Sequence, residues 1–195
     1  MTRLTLHTAE SAPPASQPWI EQSVRHNGYL PNLIGVLANA PLALEAYFTL
    51  GAINARASLT LAEREVVQIT AAQLHGCDFC VAGHSAVALR KAGLDAASVV
   101  ALQRVAATGN ARLDAVQAFT QAVIEHRGAV PDGALQAFLS VGFDQEQALE
   151  VVLGVSLASL CNFANSLAQS PVNPQLQAYR AGVLRAEHSD EPHAA

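Results

Sequence analysis

Helix start and stop signals divide nearly the whole chain into segments of helical length. Thr60 and Glu63 have the spacing of a capping box, so a helix is predicted to begin at Leu61, and Gly76 is suited to follow its last turn. No two-residue alternation of apolar and polar residues continues long enough to indicate a strand. Similar signals place helices at about residues 33–38, 42–55, 61–75, 77–93, 95–108, 112–127, 132–141, 144–169 and 174–184. The sequence therefore predicts an all-α fold.

The length of the chain, 195 residues, suits one compact domain. A chain of this size buries roughly 70% of its unfolded surface, so it needs no disulfide bonds for stability. We expect a single helical domain over residues 19–185. The proline-containing segment 1–18 is predicted to be a loose N-terminal arm, and the polar segment 186–195 a disordered tail.

Composition limits the kinds of binding partner and the cellular compartment that we expect for this protein. The formal net charge is −5 and no basic cluster occurs, which gives no support for nucleic-acid binding. Three cysteines are too few, and odd in number, for a secreted disulfide scaffold. We therefore expect a cytoplasmic protein in a reducing environment.

One segment, residues 151–168, is uncharged and long enough to suggest a membrane span. It also contains three serines and two asparagines, whose polar groups are costly to bury in lipid. A buried helix or a subunit interface is the better interpretation. We expect no membrane association, and we expect a homo-oligomer.

A Cys-x-x-Cys pair followed by a histidine indicates thiol redox chemistry. Cys77 and Cys80 are predicted near a helix start, where unpaired backbone N–H groups stabilise a thiolate. His84 lies one turn beyond Cys80 and two turns beyond Cys77, so it can give or take a proton near neutral pH. The three side chains form a candidate catalytic group.

Glu65 is a candidate to orient this histidine. If residues 61–75 and 78–92 form an antiparallel hairpin, Glu65 lies eleven residues before Gly76 and His84 lies eight after it. The offset is roughly 4–5 Å, which sets Glu65 nearer to His84 than to Cys77. A buried glutamate there would raise the basicity of the imidazole.

Simpler interpretations remain open for each of these residues. His84 could be a half-buried helix residue without a role, and Glu65 could be an exposed glutamate favoured by the helix dipole. Zinc normally requires four protein ligands at a structural site, and Cys77, Cys80 and His84 supply three. His75 or Asp78 would complete the set only with crowding, so we expect no metal and no cofactor.

Other residues near this motif are more ambiguous. Cys161 is expected to be a small core residue, and Phe79 to pack over the sulfurs. Asn162 and Asn165 share one face of an apolar helix, where buried amides need partners. They either tie helices together, which we favour, or line the site.

The spacing of these residues resembles that of the alkylhydroperoxidase D-like family, within the carboxymuconolactone decarboxylase superfamily. Its redox members have a glutamate, then twelve residues on a Cys-x-x-Cys pair, then a histidine four residues later, as Glu65, Cys77, Cys80 and His84 do here. The resemblance covers about residues 28 to 170. Three flanking segments are also similar, the first of them to the peroxidase-related subgroup: residues 28–32, 59–65 and 162–165.

The resemblance implies an all-helical fold with a Cys-x-x-Cys active-site hairpin, assembled into trimers or hexamers. It implies that Cys80 attacks a hydroperoxide, that Cys77 closes a disulfide, and that Glu65 and His84 relay protons. The helix start alone would make Cys77 the better thiolate. A protein dithiol or a lipoyl-type carrier would reduce the disulfide. One departure is Phe79, where the best-known members have a histidine, and it puts efficient turnover of alkyl hydroperoxides in question.

The leading hypothesis is therefore a thiol-dependent peroxidase or disulfide oxidoreductase that works through a Cys77/Cys80 dithiol–disulfide cycle. One alternative is a redox-sensing oligomer whose cysteine pair changes state without turnover. The other is a lyase similar to the carboxymuconolactone decarboxylases, in which the cysteine pair would have no evident purpose.

Overall fold

The structure, a computed structural model, describes residues 2–184. Within that range the chain forms helices and turns and no strand, so the predicted all-α fold is confirmed. The elements, in order, are a 3₁₀ turn (Pro14–Ser16), α1 (Gln17–Asn27), α2 (Asn32–Leu37), α3 (Pro41–Asn54), α4 (Leu61–Leu74), α5 (Asp78–Arg90), α6 (Ala96–Leu102), α7 (Ala111–Glu125), α8 (Asp132–Ser140), α9 (Gln145–Ala168) and a 3₁₀ helix (Pro174–Tyr179).

Capping residues set the start of α4 as the sequence predicted. The Thr60 hydroxyl accepts the backbone N–H of Glu63 at 3.2 Å, and the Glu63 carboxylate accepts the backbone N–H of Thr60 at 2.8 Å. These bonds satisfy donors that the first turn of a helix leaves without partners. Arg112 on α7 pairs with Glu63 at 2.9 Å, so the same residue also fastens α4 to α7.

Two predicted helices end earlier than expected or take another form. The helix predicted to reach residue 108 ends at Leu102, because Val105 adopts a left-handed backbone conformation with φ of 55°. The last predicted helix is a 3₁₀ helix that ends at Tyr179. Its end is anchored to α5, where the Arg90 guanidinium lies 4.7 Å from the centre of the Tyr179 ring.

Helix α9 is the central element of the packing. It contacts α2, α3, α4, α5, α7 and α8, and it contributes to both apolar clusters of the core. A Cβ atom at Gly154 would lie 2.9 Å from Cγ1 of Val67 on α4, so the glycine permits a close approach of the two helices. Helix α9 is long and apolar enough to cross a membrane, but helices buried in a protein core meet the same criteria of length and composition.

The N-terminal segment, predicted to be a loose arm, makes backbone hydrogen bonds to the helical body. The Arg3 N–H donates to the Ala168 carbonyl at 2.8 Å, and the His7 N–H donates to the Gly35 carbonyl at 3.2 Å. Helix α1 begins at Gln17, just inside the predicted arm. The predicted tail, 186–195, lies outside the described residues.

Candidate active site

A tight turn between α4 and α5 brings the two cysteines to a helix start. Gly76 occupies it with φ of +68°, a conformation that favours glycine, and the Cys77 N–H donates back to the Ala72 carbonyl at 2.9 Å. Cys77 is the residue before the first turn of α5 and Cys80 lies within that turn. Each is about 4% exposed and neither is in a disulfide. The predicted hairpin and the closeness of the two cysteines are therefore present.

The pKa values of the two thiols are shifted in opposite directions. Interaction with the Cys80 thiol lowers the pKa of Cys77 from 9.0 to about 7, against the opposing effect of burial, and the Cys80 backbone N–H and the Asn165 amide add to the lowering. The same contact, together with burial, raises the pKa of Cys80. One negative charge on this pair is therefore expected to reside at Cys77, which stands at the helix start.

Glu65 and His84 form a hydrogen-bonded pair across the hairpin. His84 Nδ1 lies 2.8 Å from Glu65 Oε2, and the two side chains are 30% and 9% exposed. Burial acts to lower the pKa of His84, but the charge of Glu65 and the hydrogen bond outweigh it, so the pKa of His84 is raised. The predicted proximity of the pair is observed, and the catalytic roles of these four residues stay a prediction.

A small pocket opens beside this pair. Its volume is about 190 Å³, and its lining includes Glu65 and His84 together with Arg64, Gln68 and Leu157. The imidazole can therefore meet both solvent and the protein interior. A larger hollow of about 490 Å³ lies between α1 and α3, but its lining contains no cysteine, histidine or carboxylate.

The two asparagines of α9 have different partners. Asn162 Nδ2 donates to His75 Nδ1 at 3.0 Å, which is the structural pairing that we favoured. Asn165 Nδ2 instead donates to Cys80 Sγ at 3.4 Å, so for this residue the less favoured alternative, lining the site, is correct. Both alternatives for the asparagines could be stated from the sequence, but nothing in it distinguishes Asn162 from Asn165.

Tyr47 on α3 is a site neighbour that the sequence did not single out. Its ring packs against the apolar cluster that contains Cys77, Cys80 and Cys161. Burial raises the pKa of Tyr47, and negative charge at Cys161, Cys80 and Glu65 raises it further. The phenol is therefore held neutral beside the thiols. Burial also raises the pKa of Cys161 to about 12, as suits a core thiol.

Metal binding has no structural candidate in residues 2–184, where no group of three histidine, cysteine or acidic side chains is arranged to hold an ion. One nitrogen of His84 is already engaged by Glu65.

Comparison with known proteins identifies a matching family. Residues 41–125, which include all four candidate residues, match the model of the carboxymuconolactone decarboxylase family. The predicted resemblance to this superfamily is confirmed. No curated protein matches the sequence.

Solved structures with similar folds include two peroxidase-related proteins. One, from Ralstonia eutropha JMP134, has an alkylhydroperoxidase AhpD core and 20% identity, with a TM-score of 0.81 over 93% of this chain and 96% of its own. The other, from Silicibacter sp. TM1040, also has 20% identity, with a TM-score of 0.78 over 92% and 96%. These likenesses establish a shared fold.

A third similar structure has a different activity. It is the debrominase Bmp8 in complex with 2,3,4-tribromopyrrole, with 18% identity and a TM-score of 0.73 over 92% of this chain and 96% of that one. The fold that these proteins share therefore supports more than one reaction, and function has to be argued from the site itself.

Proposed function

We propose that this protein is a thiol-dependent peroxidase or disulfide oxidoreductase that uses Cys77 and Cys80 as a dithiol–disulfide pair. The observation that carries the proposal is the meeting of both thiols at the start of α5, on the helix that also holds the Glu65-bonded His84. A lowered thiol pKa favours nucleophilic attack on a peroxide, and a histidine on the same helix is a candidate proton carrier for the leaving group.

The proposed reaction balances in two steps. A thiolate attacks the terminal oxygen of a hydroperoxide, so an S–O bond forms, the O–O bond breaks, and the departing alkoxide takes a proton to leave as an alcohol. The sulfur is oxidised to a sulfenic acid. The second thiol then attacks that sulfur, the disulfide forms, and water leaves. His84, oriented by Glu65, is the proposed proton donor in the first step.

The order of the two cysteines is part of the proposal. The family resemblance assigns the attack to Cys80 and the resolving role to Cys77, whereas the lowered pKa of Cys77 favours the anion there. Transfer of one proton from the Cys80 thiol to the Cys77 thiolate would place the anion on Cys80 instead. Cys77→Ser and Cys80→Ser decide the order, because the variant that retains the attacking thiol forms a trappable sulfenic acid.

The reductant and the assembly are proposed from the resemblance. A protein dithiol or a lipoyl-type carrier would attack the disulfide and take up the oxidising equivalents. Assembly of the chain into a homo-oligomer, trimer or hexamer, would cover apolar side chains on the outer face of α9. The small and odd number of cysteines supports a cytoplasmic location.

Peroxide consumption tests the function. The purified protein, supplied with tert-butyl hydroperoxide and dithiothreitol, is expected to consume peroxide steadily, and Cys80→Ser is expected to abolish the consumption. Cys161→Ser is the matched control, because Cys161 is buried elsewhere in the same cluster and its thiol has a raised pKa. Loss of turnover in Cys161→Ser equal to that in Cys80→Ser would contradict the assignment.

A redox sensor without turnover is the second candidate, and the burial of both sulfurs favours it. For a sensor, one disulfide per chain would form and consumption would then stop. Activity on a carboxylactone that survives both Cys77→Ser and Cys80→Ser would instead indicate the lyase suggested by the name of the matching family.

A further inference from the structure

Asn165 has a buried side-chain amide, of which only one end has a hydrogen-bond partner in the described residues. The residue is 3% exposed, and Nδ2 donates to Cys80 Sγ at 3.4 Å. Its other end, Oδ1, is buried and has no hydrogen-bond partner in the described part of the chain. A buried acceptor without a partner costs about 1–3 kcal/mol, so its presence calls for a function.

The donor end contributes to the charge on the sulfur pair. An N–H that donates to sulfur stabilises the thiolate more than the thiol, since hydrogen bonds to charged groups are the stronger ones. The Asn165 amide acts to lower the pKa of Cys77 as well as that of Cys80, so it supports the negative charge on whichever sulfur holds it.

The acceptor end has the chemistry to receive a donor from a ligand. Because the amide is planar, Oδ1 lies beside the Nδ2 atom that contacts the sulfur. A hydroperoxide carries one O–H donor on the oxygen that the thiolate attacks, and an acceptor next to the sulfur would hold this oxygen close to it.

We propose that Asn165 is a positioning residue that stabilises the dithiol monoanion through Nδ2 and receives the O–H of the incoming hydroperoxide at Oδ1. This inference rests on the proposed peroxidase function and adds a substrate contact to it. The helix that supplies Asn165, α9, is separate from the hairpin that supplies the cysteines, and Gly154 allows the two to approach closely.

Alkylation of the reduced protein by iodoacetamide, followed against pH, tests the sulfur contact without peroxide. We expect Asn165→Ala to raise the pH midpoint of the reactive thiol by about one unit, the effect of losing one charge-assisted hydrogen bond. Asn162→Ala is the matched control, one turn away on the same helix and bonded to His75, and its midpoint should stay unchanged. An unchanged midpoint in Asn165→Ala, or an equal shift in Asn162→Ala, overturns the sulfur contact.

The rate of disulfide formation with tert-butyl hydroperoxide tests the substrate contact. At pH 7 we expect Asn165→Ala to react at least about fivefold more slowly than the unsubstituted protein, from the smaller thiolate fraction alone. At pH 9.5 the reactive thiol is ionised in both proteins, so a deficit that persists there supports the contact of Oδ1 with the substrate. Full recovery of the rate at pH 9.5 overturns that contact.

A second variant and the alkylation profile cover two further cases, failure of the alanine variant to fold and absence of peroxide consumption. Asn165→Leu preserves the approximate size of the side chain without adding a charge, and the loss of the N–H donor should raise the thiol midpoint even if the alanine variant fails to fold. If the unsubstituted protein consumes no peroxide, the proposed function fails, while the alkylation profile still decides whether Asn165 acts on the sulfurs.

Discussion

The carboxylate–imidazole pair of Glu65 and His84 shows how a single contact sets the chemistry of a side chain. Burial by itself would lower the pKa of His84, because a charged imidazole loses hydration. The hydrogen bond of 2.8 Å to Glu65 reverses the direction. The ring therefore stays available as an acid at a pH where an isolated buried histidine would be neutral.

Replacing Glu65 with glutamine is expected to lower the pKa of His84 by about one pH unit or more, since the charge is lost and burial remains. Titration of the histidine ring protons by NMR measures the shift. The hydroperoxide reaction at pH 7 should fall about tenfold, because His84 loses its proton and its orientation. Glu45→Gln, at an exposed position on α3, is the control and should change neither quantity.

The same pair predicts how stability depends on pH. A raised pKa in the folded state means that the contribution of His84 to the free energy of unfolding is complete below its unfolded pKa, about 6.5, and is lost as the pH rises through the raised value. Urea denaturation at a series of pH values should show this dependence lost or reversed in Glu65→Gln, because burial alone lowers the pKa of His84. If it persists there, another histidine is responsible and the pair is not its source.

At the scale of secondary-structure elements, the turn between α4 and α5 determines where the sulfurs lie. The connection is three residues long, and Gly76 supplies the left-handed conformation that ends α4 and reverses the chain. The reversal sets Glu65 opposite His84 and leaves Cys77 at the first unpaired N–H groups of α5. The hairpin thus fixes both parts of the candidate site.

Gly76→Ala is expected to lower the free energy of unfolding by about 1 kcal/mol, because alanine is strained at φ of +68° although its Cβ would meet no other atom. Urea denaturation measures the change. Gly51→Ala is the matched control: Gly51 lies inside α3 with similar open space, so alanine there should stabilise the protein by up to about 1 kcal/mol. Equal effects at the two positions would contradict the role given to the turn.

At the scale of the whole molecule, α9 has one face in the core and one outside. Its inner face carries Gly154 and Asn165 to the hairpin. Its outer face leaves Leu149 at 70% exposure, with further apolar side chains exposed along the helix at Val152, Phe163 and Leu167. A stripe of this length, on a helix that is uncharged over residues 151–168, is typical of an interface.

We expect the native mass, measured by light scattering, to be a multiple of the chain mass of 20.4 kDa. The double substitution L149K/V152K should reduce that mass, because two ammonium groups would have to be desolvated at the interface. Leu42→Lys, at a position 80% exposed on α3, is the control and should leave the mass unchanged. A monomeric unsubstituted protein would show that this face has no partner copy.

Much of the architecture was available from local sequence signals. The capping box at Thr60 and Glu63, the glycine stop at Gly76 and the missing alternation gave the helices and their order, because helix ends depend on side chains a few residues away. Spacing across the turn also placed Glu65 near His84. The end of α6 was predicted too late in the chain, because a valine such as Val105 gives no indication in the sequence of a left-handed backbone conformation.

The contacts between distant helices were decided by the tertiary structure alone. Asn162 and Asn165 are equivalent in sequence, each a polar residue on an apolar helix, yet one bonds His75 and the other bonds Cys80. The burial of Tyr47 beside the thiols is of the same kind. Local sequence determined which groups were available on each helix. The packing of α9 and α3 against the hairpin determined which of these groups came into contact. For α9 this packing depends on contacts between residues more than eighty positions apart, which local signals do not report.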